Sequence, residues 1–481
     1  MELNVKTLVH YIGGQWVPPA QDLGRFKVIN PATEAVVAEI QMGSEVEVNL
    51  AVAAAKAAFP GYVALGLTAR IALAEKLSAV FKRRYDEMVT AITTEMGAPY
   101  TLSHDSQAEC GPGHIGATIE AARQLHWETR SGGRGAVVLE PIGVCGLITP
   151  WNWPINQIAA KVVPALIAGC TVVLKPSEQA PLSAQLFAEF VHEAGFPIGV
   201  FNMVHGAGPI VGHAMSAHPD IDMMSFTGST RAGIAVAKTA AESVKRVSQE
   251  LGGKSANILF ADCDLEAAVR RGVLHCFNNT GQSCNSPTRM LVEDSVYDRA
   301  VEIAARVAAS VEVGDPTKPG KQLGPVSSRM QFDKIQGYIR KGTEEGAKLI
   351  AGGPGKPRGL ETGFYVKPTI FAEVTNQMAI AREEIFGPVL SMIRFKTEEE
   401  AIAIANDTPY GLAAYVQSGN LERARKVARR LRAGSVYLNG VGQDYCSPFG
   451  GYKQSGNGRE WGVYGLMDFL EFKAINGFYE A

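Results

Sequence analysis

Between Gly143 and Ala241 short apolar runs alternate with longer segments whose apolar positions recur at helical spacing. The runs Val144 to Thr149, Thr171 to Leu174, Val200 to Val204 and Met223 to Phe226 predict strands, and Ile155 to Ile167, Ser183 to Glu193, Pro209 to Ala217 and Ser229 to Ala241 predict helices. Continuous apolar strands separated by helices of this length imply βαβ units and a parallel sheet buried on both faces. A second alternating region follows: strands at Asn257 to Phe260 and Arg289 to Val292, helices from Leu265 to Phe277, Val296 to Ala309 and Glu398 to Asn406. Ahead of both, Tyr11 to Val17 and Val28 to Pro31 predict short strands. Val46 to Phe59 predicts a helix, and Arg70 to Met96 another, stopped by Gly97 and Pro99. The apolar residues of Leu466 to Ile475 predict a terminal strand, which needs a neighbour in this chain or in another subunit.

In open parallel sheets ligands bind beyond the carboxyl ends of the strands, and the polar loops of this chain fall there. Thr149-Pro150-Trp151-Asn152 ends the first strand, Lys175-Pro176-Ser177-Glu178 the second and Phe226-Thr227-Gly228-Ser229-Thr230 the fourth. After the third comes Gly206-Ala207-Gly208-Pro209-Ile210-Val211-Gly212, whose last glycine is one place too late for a dinucleotide fingerprint. Gly228 and Gly233 have phosphate-loop spacing, but Ile234 stands where that loop needs a lysine. The fold class is therefore α/β with a nucleotide-binding pattern, and neither loop alone identifies the ligand.

Composition narrows the class. At 481 residues the chain is long enough for two or three domains of roughly 100–200 residues each. A boundary near Leu251 follows from the change in motif character there. Its 46 basic and 48 acidic residues leave a formal charge of −2 with no long run of one sign, which argues against nucleic acid and anionic membrane as partners. The start, Met1 to Lys6, has no apolar core of a secretory signal, and no run of about 18 apolar residues follows, so a cytoplasmic location is expected. Seven cysteines, at positions 110, 145, 170, 263, 276, 284 and 446, form no C-x-x-C pair, so neither a disulfide framework nor a metal site is expected.

One cysteine differs from the others in its surroundings. Asn278-Asn279-Thr280-Gly281-Gln282-Ser283-Cys284 is a polar run between a helix and a strand, where a thiol can be reached by a small molecule. Most free cysteines are inert and buried. Upstream, however, lie a carboxylate in Glu250-Leu251-Gly252-Gly253-Lys254-Ser255 and an amide in Thr149-Pro150-Trp151-Asn152-Trp153-Pro154. A carboxylate at a strand end more often forms a simple ion pair than a catalytic base.

Those three stretches, in that order, resemble the aldehyde dehydrogenase superfamily, and the resemblance runs over essentially the whole chain. It implies a three-part α/β structure: a Rossmann-type coenzyme domain (1–124 and 143–250), an α/β catalytic domain (251–443) and a small β oligomerisation element (125–142 and 444–481). It implies that Cys284 is the nucleophile, Asn152 with the Cys284 backbone N–H the oxyanion donors, and Glu250 the base that activates water against a thioester. Trp151, Lys175, Glu178, Gly208, Ser229, Glu384 and Phe386 match coenzyme positions. Glu178 favours NAD over NADP, because a carboxylate accepts hydrogen bonds from ribose hydroxyls and repels a 2′-phosphate. A homodimer or homotetramer is implied, and the small-molecule partner is an aldehyde. A CoA-acylating semialdehyde dehydrogenase is the alternative enzyme, against which Glu250 argues, and a catalytically silent binding or structural protein is the third reading.

For the substrate, the resemblance places Asn156, Gln157 and Phe449 along the aldehyde tunnel. No Arg occurs between Trp151 and Cys170 to pair a distal carboxylate, which points to a neutral aldehyde, aromatic or short aliphatic, with or without a hydroxyl. Asn156 and Gln157 can equally serve only to hydrogen-bond helix-end backbone or a neighbouring loop.

Overall fold

The computed structural model describes residues 6–480, so the reading of Met1 to Val5 lies outside the described residues. The first alternating region builds an eight-stranded sheet in the order Gly456–Asn457, Arg246–Glu250, Met223–Thr227, Val144–Ile148, Thr171–Lys175, Phe201–Met203, His10–Ile12, Gln15–Val17. Its five central strands are parallel, and the two ends are closed by antiparallel pairing. Alternate residues of these strands enter different cores. Cys145, Leu147, Val172 and Leu174 pack with the helices Pro154–Ala168 and Pro181–Glu193. Val144, Ile148, Val173 and Met224 pack instead with Glu45–Ala64 and Thr230–Ala241. Burial of both faces is why these strands read as unbroken apolar runs.

The second region forms a seven-stranded sheet in the order Lys348–Ala351, Thr369–Ala372, Val389–Phe395, Arg289–Glu293, Ala256–Leu259, Ala413–Gln417, Ser435–Leu438. All but the first are parallel. Residues Leu251 to Ser255 connect the carboxyl end of Arg246–Glu250 to the start of Ala256–Leu259. The C-terminal edge of one sheet thus meets the N-terminal edge of the other. Arg289–Glu293 begins shortly after Cys284, so the cysteine stands at that junction rather than beyond a strand's carboxyl end.

Several expectations are corrected. The helical stretch Arg70 to Met96 is two helices, Gly66–Arg83 and Tyr85–Met96, because Arg84 leaves helical geometry (φ −105°, ψ 23°) while its guanidinium pairs with Glu87 and Glu189. The expected helix Pro209 to Ala217 opens as a wide π-type turn, Gly208–Gly212, before the α-helix His213–Ala217. The terminal apolar run divides into a helix, Gly462–Met467, and a strand, Leu470–Ile475, since Leu466 faces the first core and an apolar run alone does not distinguish the two.

Leu470–Ile475 pairs antiparallel with Gly135–Pro141, which in turn pairs with Glu128–Ser131. The strand at the chain end therefore has an intramolecular neighbour and one edge with no strand beside it among the described residues, and Phe472 is exposed on that strand. The segment 444–469, expected to belong to this element, lies elsewhere: Gly456–Asn457 edges the first sheet, and Phe449 and Trp461 pack on Ala160 beside Cys284. Among the described residues no single helix is long and apolar enough to cross a membrane, and no cluster of His, Cys, Asp or Glu is arranged to hold a metal ion.

Candidate active site

The order of the first sheet reverses between Val144–Ile148 and Met223–Thr227: from the former the chain runs outward to Thr171–Lys175 and Phe201–Met203, then returns to the latter. A crevice opens at such a reversal. Here it is a cavity of about 160 Å³ lined by Pro150, Trp151, Asn152, Thr227, Gly228, Ser229, Leu251, Gly252, Cys284, Gln331, Lys334, Glu384 and Phe386. Seven of the residues singled out in the sequence stand in or beside one space: Cys284, Asn152, Trp151, Ser229, Glu384 and Phe386 line it, and Glu250 precedes Leu251 at its wall.

The cysteine loop is held by backbone strain and a buried amide network. Asn279 and Thr280 have φ of 53° and 55°. That region is tolerable for Asn and costly for a β-branched Thr, whose hydroxyl donates to the Gly324 carbonyl at 3.1 Å. Gln107, at the end of a π-type turn Ser103–Gln107, donates to Asn279 Oδ1 (2.9 Å). Asn279 in turn donates to the carbonyls of Asn152 (2.9 Å) and Gln282 (3.2 Å). The Asn152 amide donates one N–H to the Gln282 carbonyl at 3.0 Å. An amide nitrogen carries two hydrogens, so a second donor remains beside Cys284. Trp153 Nε1 donates to Ser283 Oγ (2.7 Å). Gln107 and Trp153 escaped the sequence reading. Trp153 lies within the motif Thr149 to Pro154, whereas nothing near Gln107 in the chain marks it.

The paired glycines of Leu251-Gly252-Gly253 have a steric reason. A Cβ on Gly253 would lie 2.3 Å from the Cys284 carbonyl oxygen, and one on Gly252 would lie 2.5 Å from Glu384 Oε2. Glu384 also accepts from the Gly253 N–H at 3.0 Å. Gly281, at φ 71°, lies against the backbone of Gly387, which brings the cysteine loop and the Glu384 to Phe386 loop together. The Phe386 ring then meets Trp151 edge-on, with centroids 5.5 Å apart.

Glu250 sits apart from the cavity proper. Glu250 is 2% exposed, and its carboxyl receives no hydrogen bond among the described residues and lies near Gly450. Burial first, and then the charge of Glu460, hold its pKa well above the usual carboxylate range. Glu460 pairs with buried Lys161, which also donates to Ser225 (3.1 Å). The Cys284 thiol is raised well above its ordinary value by burial and then by Glu250, Glu384 and Glu460. Cys110 is also buried, with its pKa pushed up to about 12 by desolvation. Its sulfur donates to the Ser106 carbonyl and accepts from Tyr445, and it does not line the cavity.

A second cluster adjoins the first along the crevice. Glu178 accepts from the Gly208 N–H at 3.1 Å and from Lys175 Nζ at 3.3 Å, and Lys175 also donates to the Pro176 carbonyl at 3.0 Å. Ser229 caps the helix Thr230–Ala241 through the Ala232 N–H, so that helix directs its N-terminal dipole into the cavity. Of the tunnel residues, Phe449 stacks on Trp461 at 4.6 Å, and both pack with Ala160 and Leu412 against Cys284. Asn156 is half-buried and bonded to His114. Gln157 is buried, with its side-chain oxygen unpartnered among the described residues.

The aldehyde dehydrogenase family pattern matches residues 16–475. The chain belongs to the aldehyde dehydrogenase family. It is 55% identical to a 3-succinoylsemialdehyde-pyridine dehydrogenase from a Pseudomonas species, over 97% of this chain and 98% of that one. A Staphylococcus aureus protein named as an aldehyde dehydrogenase is 46% identical over 98% of both chains. The structure superposes on a cysteine-to-alanine mutant of aldehyde dehydrogenase C from Pseudomonas syringae, solved with NAD+ and octanal (TM-score 0.97, 51% identity, 98% and 97% of the two chains). It also superposes on an aldehyde dehydrogenase from Bartonella henselae (TM-score 0.96, 48% identity, 98% and 99%). The α/β architecture with its Rossmann-like sheet and small β element is that of this family. The chain is an NAD(P)-dependent aldehyde dehydrogenase of the non-acylating type, oxidising an aldehyde to the carboxylic acid through a cysteine nucleophile.

Proposed function

We propose that Cys284 is that nucleophile and that the oxidant is NAD, acting on a neutral aldehyde. The observation that carries the reading is the meeting of Cys284 with the free Asn152 N–H in one crevice, at the point where the strand order reverses. Cys110, sealed between Ser106 and Tyr445 outside that cavity, has no such access.

The residues present fit NAD. Glu178, Lys175 and Gly208 would hold the adenosine ribose, the end of the helix capped by Ser229 the pyrophosphate, and Glu384, Trp151 and Phe386 the nicotinamide ribose and ring. Glu178 is the feature that disfavours NADP. When bound, NAD supplies the acceptor for the hydride leaving the substrate carbon.

The protein groups do the rest. The sulfur of Cys284, having lost its proton, adds to the aldehyde carbon. The second Asn152 N–H and the Cys284 backbone N–H meet the oxyanion. After oxidation a thioester remains on Cys284. Glu250, turning from its buried position toward the cavity, takes a proton from the water that hydrolyses it. Burial and the charge of Glu460 raise its proton affinity, which makes the ionised carboxylate a stronger base.

Residues 1–124 and 143–250 are assigned to coenzyme binding and 251–443 to catalysis. The edge of Leu470–Ile475 that has no strand beside it among the described residues, and Phe472 exposed on that strand, support a homo-oligomer formed through the small sheet. Seven free cysteines suit the reducing cytoplasm. The test is a comparison of Cys284→Ala with Cys110→Ala, each assayed with NAD and a panel of aldehydes, with and without CoA. Loss of turnover in Cys284→Ala alone, with coenzyme affinity kept and no dependence on CoA, is expected. Wild-type turnover in Cys284→Ala would discard the assignment.

A further inference from the structure

Four amide side chains from three separate stretches of the chain meet behind the cysteine loop: Gln107, Asn152, Asn279 and Gln282, each at most 3% exposed. The two ends of an amide can often be exchanged, but the partners here forbid it. Backbone carbonyls only accept, so the Asn279 nitrogen must face those of Asn152 (2.9 Å) and Gln282 (3.2 Å), and its oxygen must face Gln107. That oxygen also only accepts. Gln107 must therefore present its nitrogen, at 2.9 Å, and the same nitrogen meets Met96 Sδ at 3.2 Å. Exchanging the ends of Gln107 would set oxygen against oxygen and sulfur. Gln282 is fixed as well, because its oxygen accepts from the Ser327 N–H (2.9 Å) and its nitrogen donates to the Asn279 carbonyl (3.1 Å). The series ends at the Gln282 carbonyl, which takes one N–H of Asn152 at 3.0 Å.

Gln107 is the outermost member of this series. Its own oxygen has no hydrogen-bond partner among the described residues, although the side chain is completely buried. An unpartnered buried oxygen is destabilising, and a Met of the same length would carry none. What the position gains in return is a donor directed at Asn279. The π-type turn Ser103–Gln107 sets that direction: the Ala108 N–H reaches back to the Ser103 carbonyl at 2.9 Å. Ser103 Oγ accepts from Thr93 (2.9 Å) and donates to the Ala98 carbonyl (3.2 Å), which pins the turn to the end of the helix Tyr85–Met96. Turns of this type inside helical segments recur at functional sites.

We propose that Gln107 is a positioning residue for the oxidation step: by holding Asn279 it keeps the Asn152 backbone and the Gln282 carbonyl where the first Asn152 N–H is engaged and the second is left for the oxyanion. The inference rests on the reading of Cys284 as nucleophile and Asn152 as oxyanion donor. Without Gln107 the Asn279 oxygen loses its donor, the amide is free to turn, and the two carbonyls it spans lose their common anchor. A donor displaced from the oxyanion stabilises it less.

The experiment uses the full-length enzyme with saturating NAD, mixed rapidly in excess over heptanal, so that NADH formation reports the first half-reaction alone. Asn152→Ala should slow it about 10²–10³-fold. Gln107→Met, which keeps the length and removes the donor, should slow it about tenfold or more, with the Kd for NAD within about threefold of wild type. In the Asn152→Ala background, Gln107→Met should change the rate less than about threefold, because a residue acting through Asn152 has nothing left to position. A residue that only supports the fold would slow both backgrounds equally, and that result overturns the proposal, as does a wild-type rate in Gln107→Met. Gln107→Glu decides the matter if the Met variant does not fold. Protonated, its O–H donates to Asn279; ionised, it has no hydrogen to give. Its rate relative to wild type should fall as pH is raised from 6 to 9, and a constant ratio overturns the proposal. The underlying reading fails by different results: a wild-type rate in Asn152→Ala removes Asn152 as oxyanion donor, and mass spectrometry showing the acyl group on a residue other than Cys284 removes the nucleophile.

Discussion

Replacing Glu250 by Gln keeps the shape of a side chain that is 2% exposed and removes its ability to hold a proton. Two effects follow, and each has its own assay. On the chemistry, a positioned general base contributes about 10²–10⁴-fold, and only the water step uses it. Deacylation should therefore slow by about that factor, while formation of the thioester stays within about threefold of wild type. Rapid mixing of enzyme, NAD and aldehyde should then give a fast burst of NADH, one per site, followed by slow turnover. On stability, the carboxyl lies buried with no hydrogen-bond donor among the described residues and near the like charge of Glu460. An unsatisfied buried polar group costs about 1–3 kcal/mol, and more when charged. Because the folded-state pKa is raised, folding favours the protonated form. That contribution is complete below the unfolded value of about 4.3 and is lost as pH rises through the folded value. Gln does not titrate, so the variant should gain on wild type with rising pH, which urea unfolding at pH 5 and pH 9 measures. Steady-state turnover equal to wild type would refute the catalytic role, and a stability difference independent of pH would refute the account of the buried carboxyl.

The remaining predictions concern the glycine pair and the coenzyme. Gly253→Ala puts a methyl 2.3 Å from the Cys284 carbonyl oxygen and must displace the nucleophile, so kcat should fall about 100-fold with the coenzyme Kd within about threefold. Gly252→Ala meets the Glu384 carboxylate instead and should weaken coenzyme binding first; equal effects of the two variants in kinetics and in titration would contradict the geometry. Glu178→Ala removes the acceptor that engages Gly208 and Lys175 and should raise the ratio of kcat/KM for NADP to that for NAD, with an unchanged ratio counting against the assignment.

Much of this protein was legible along the chain because its cause is local. Strands buried on both faces must be continuously apolar, so Val144–Ile148 and Met223–Thr227 announce themselves, and a Ser at a helix start announces the cap at Ser229. The polar loops at Asn152 and Glu178 stand out for the same reason, since they interrupt that pattern. What the sequence could not decide depends on groups far apart in the chain. The facing of one sheet's carboxyl edge to the other's amino edge puts Cys284 ahead of its strand. The bond from Asn152 to the Gln282 carbonyl and that from Gln107 to Asn279 each join segments more than a hundred residues apart. Gly252 and Gly253 look like turn residues in sequence, and only the packed structure shows that side chains there would strike Glu384 and Cys284. Asn156 is the sharpest case: its identity was visible at once, but only the packed structure joins its side chain to His114 on another helix. A residue type determines what chemistry a position can carry, and the partners assembled by the fold determine which part of it is used.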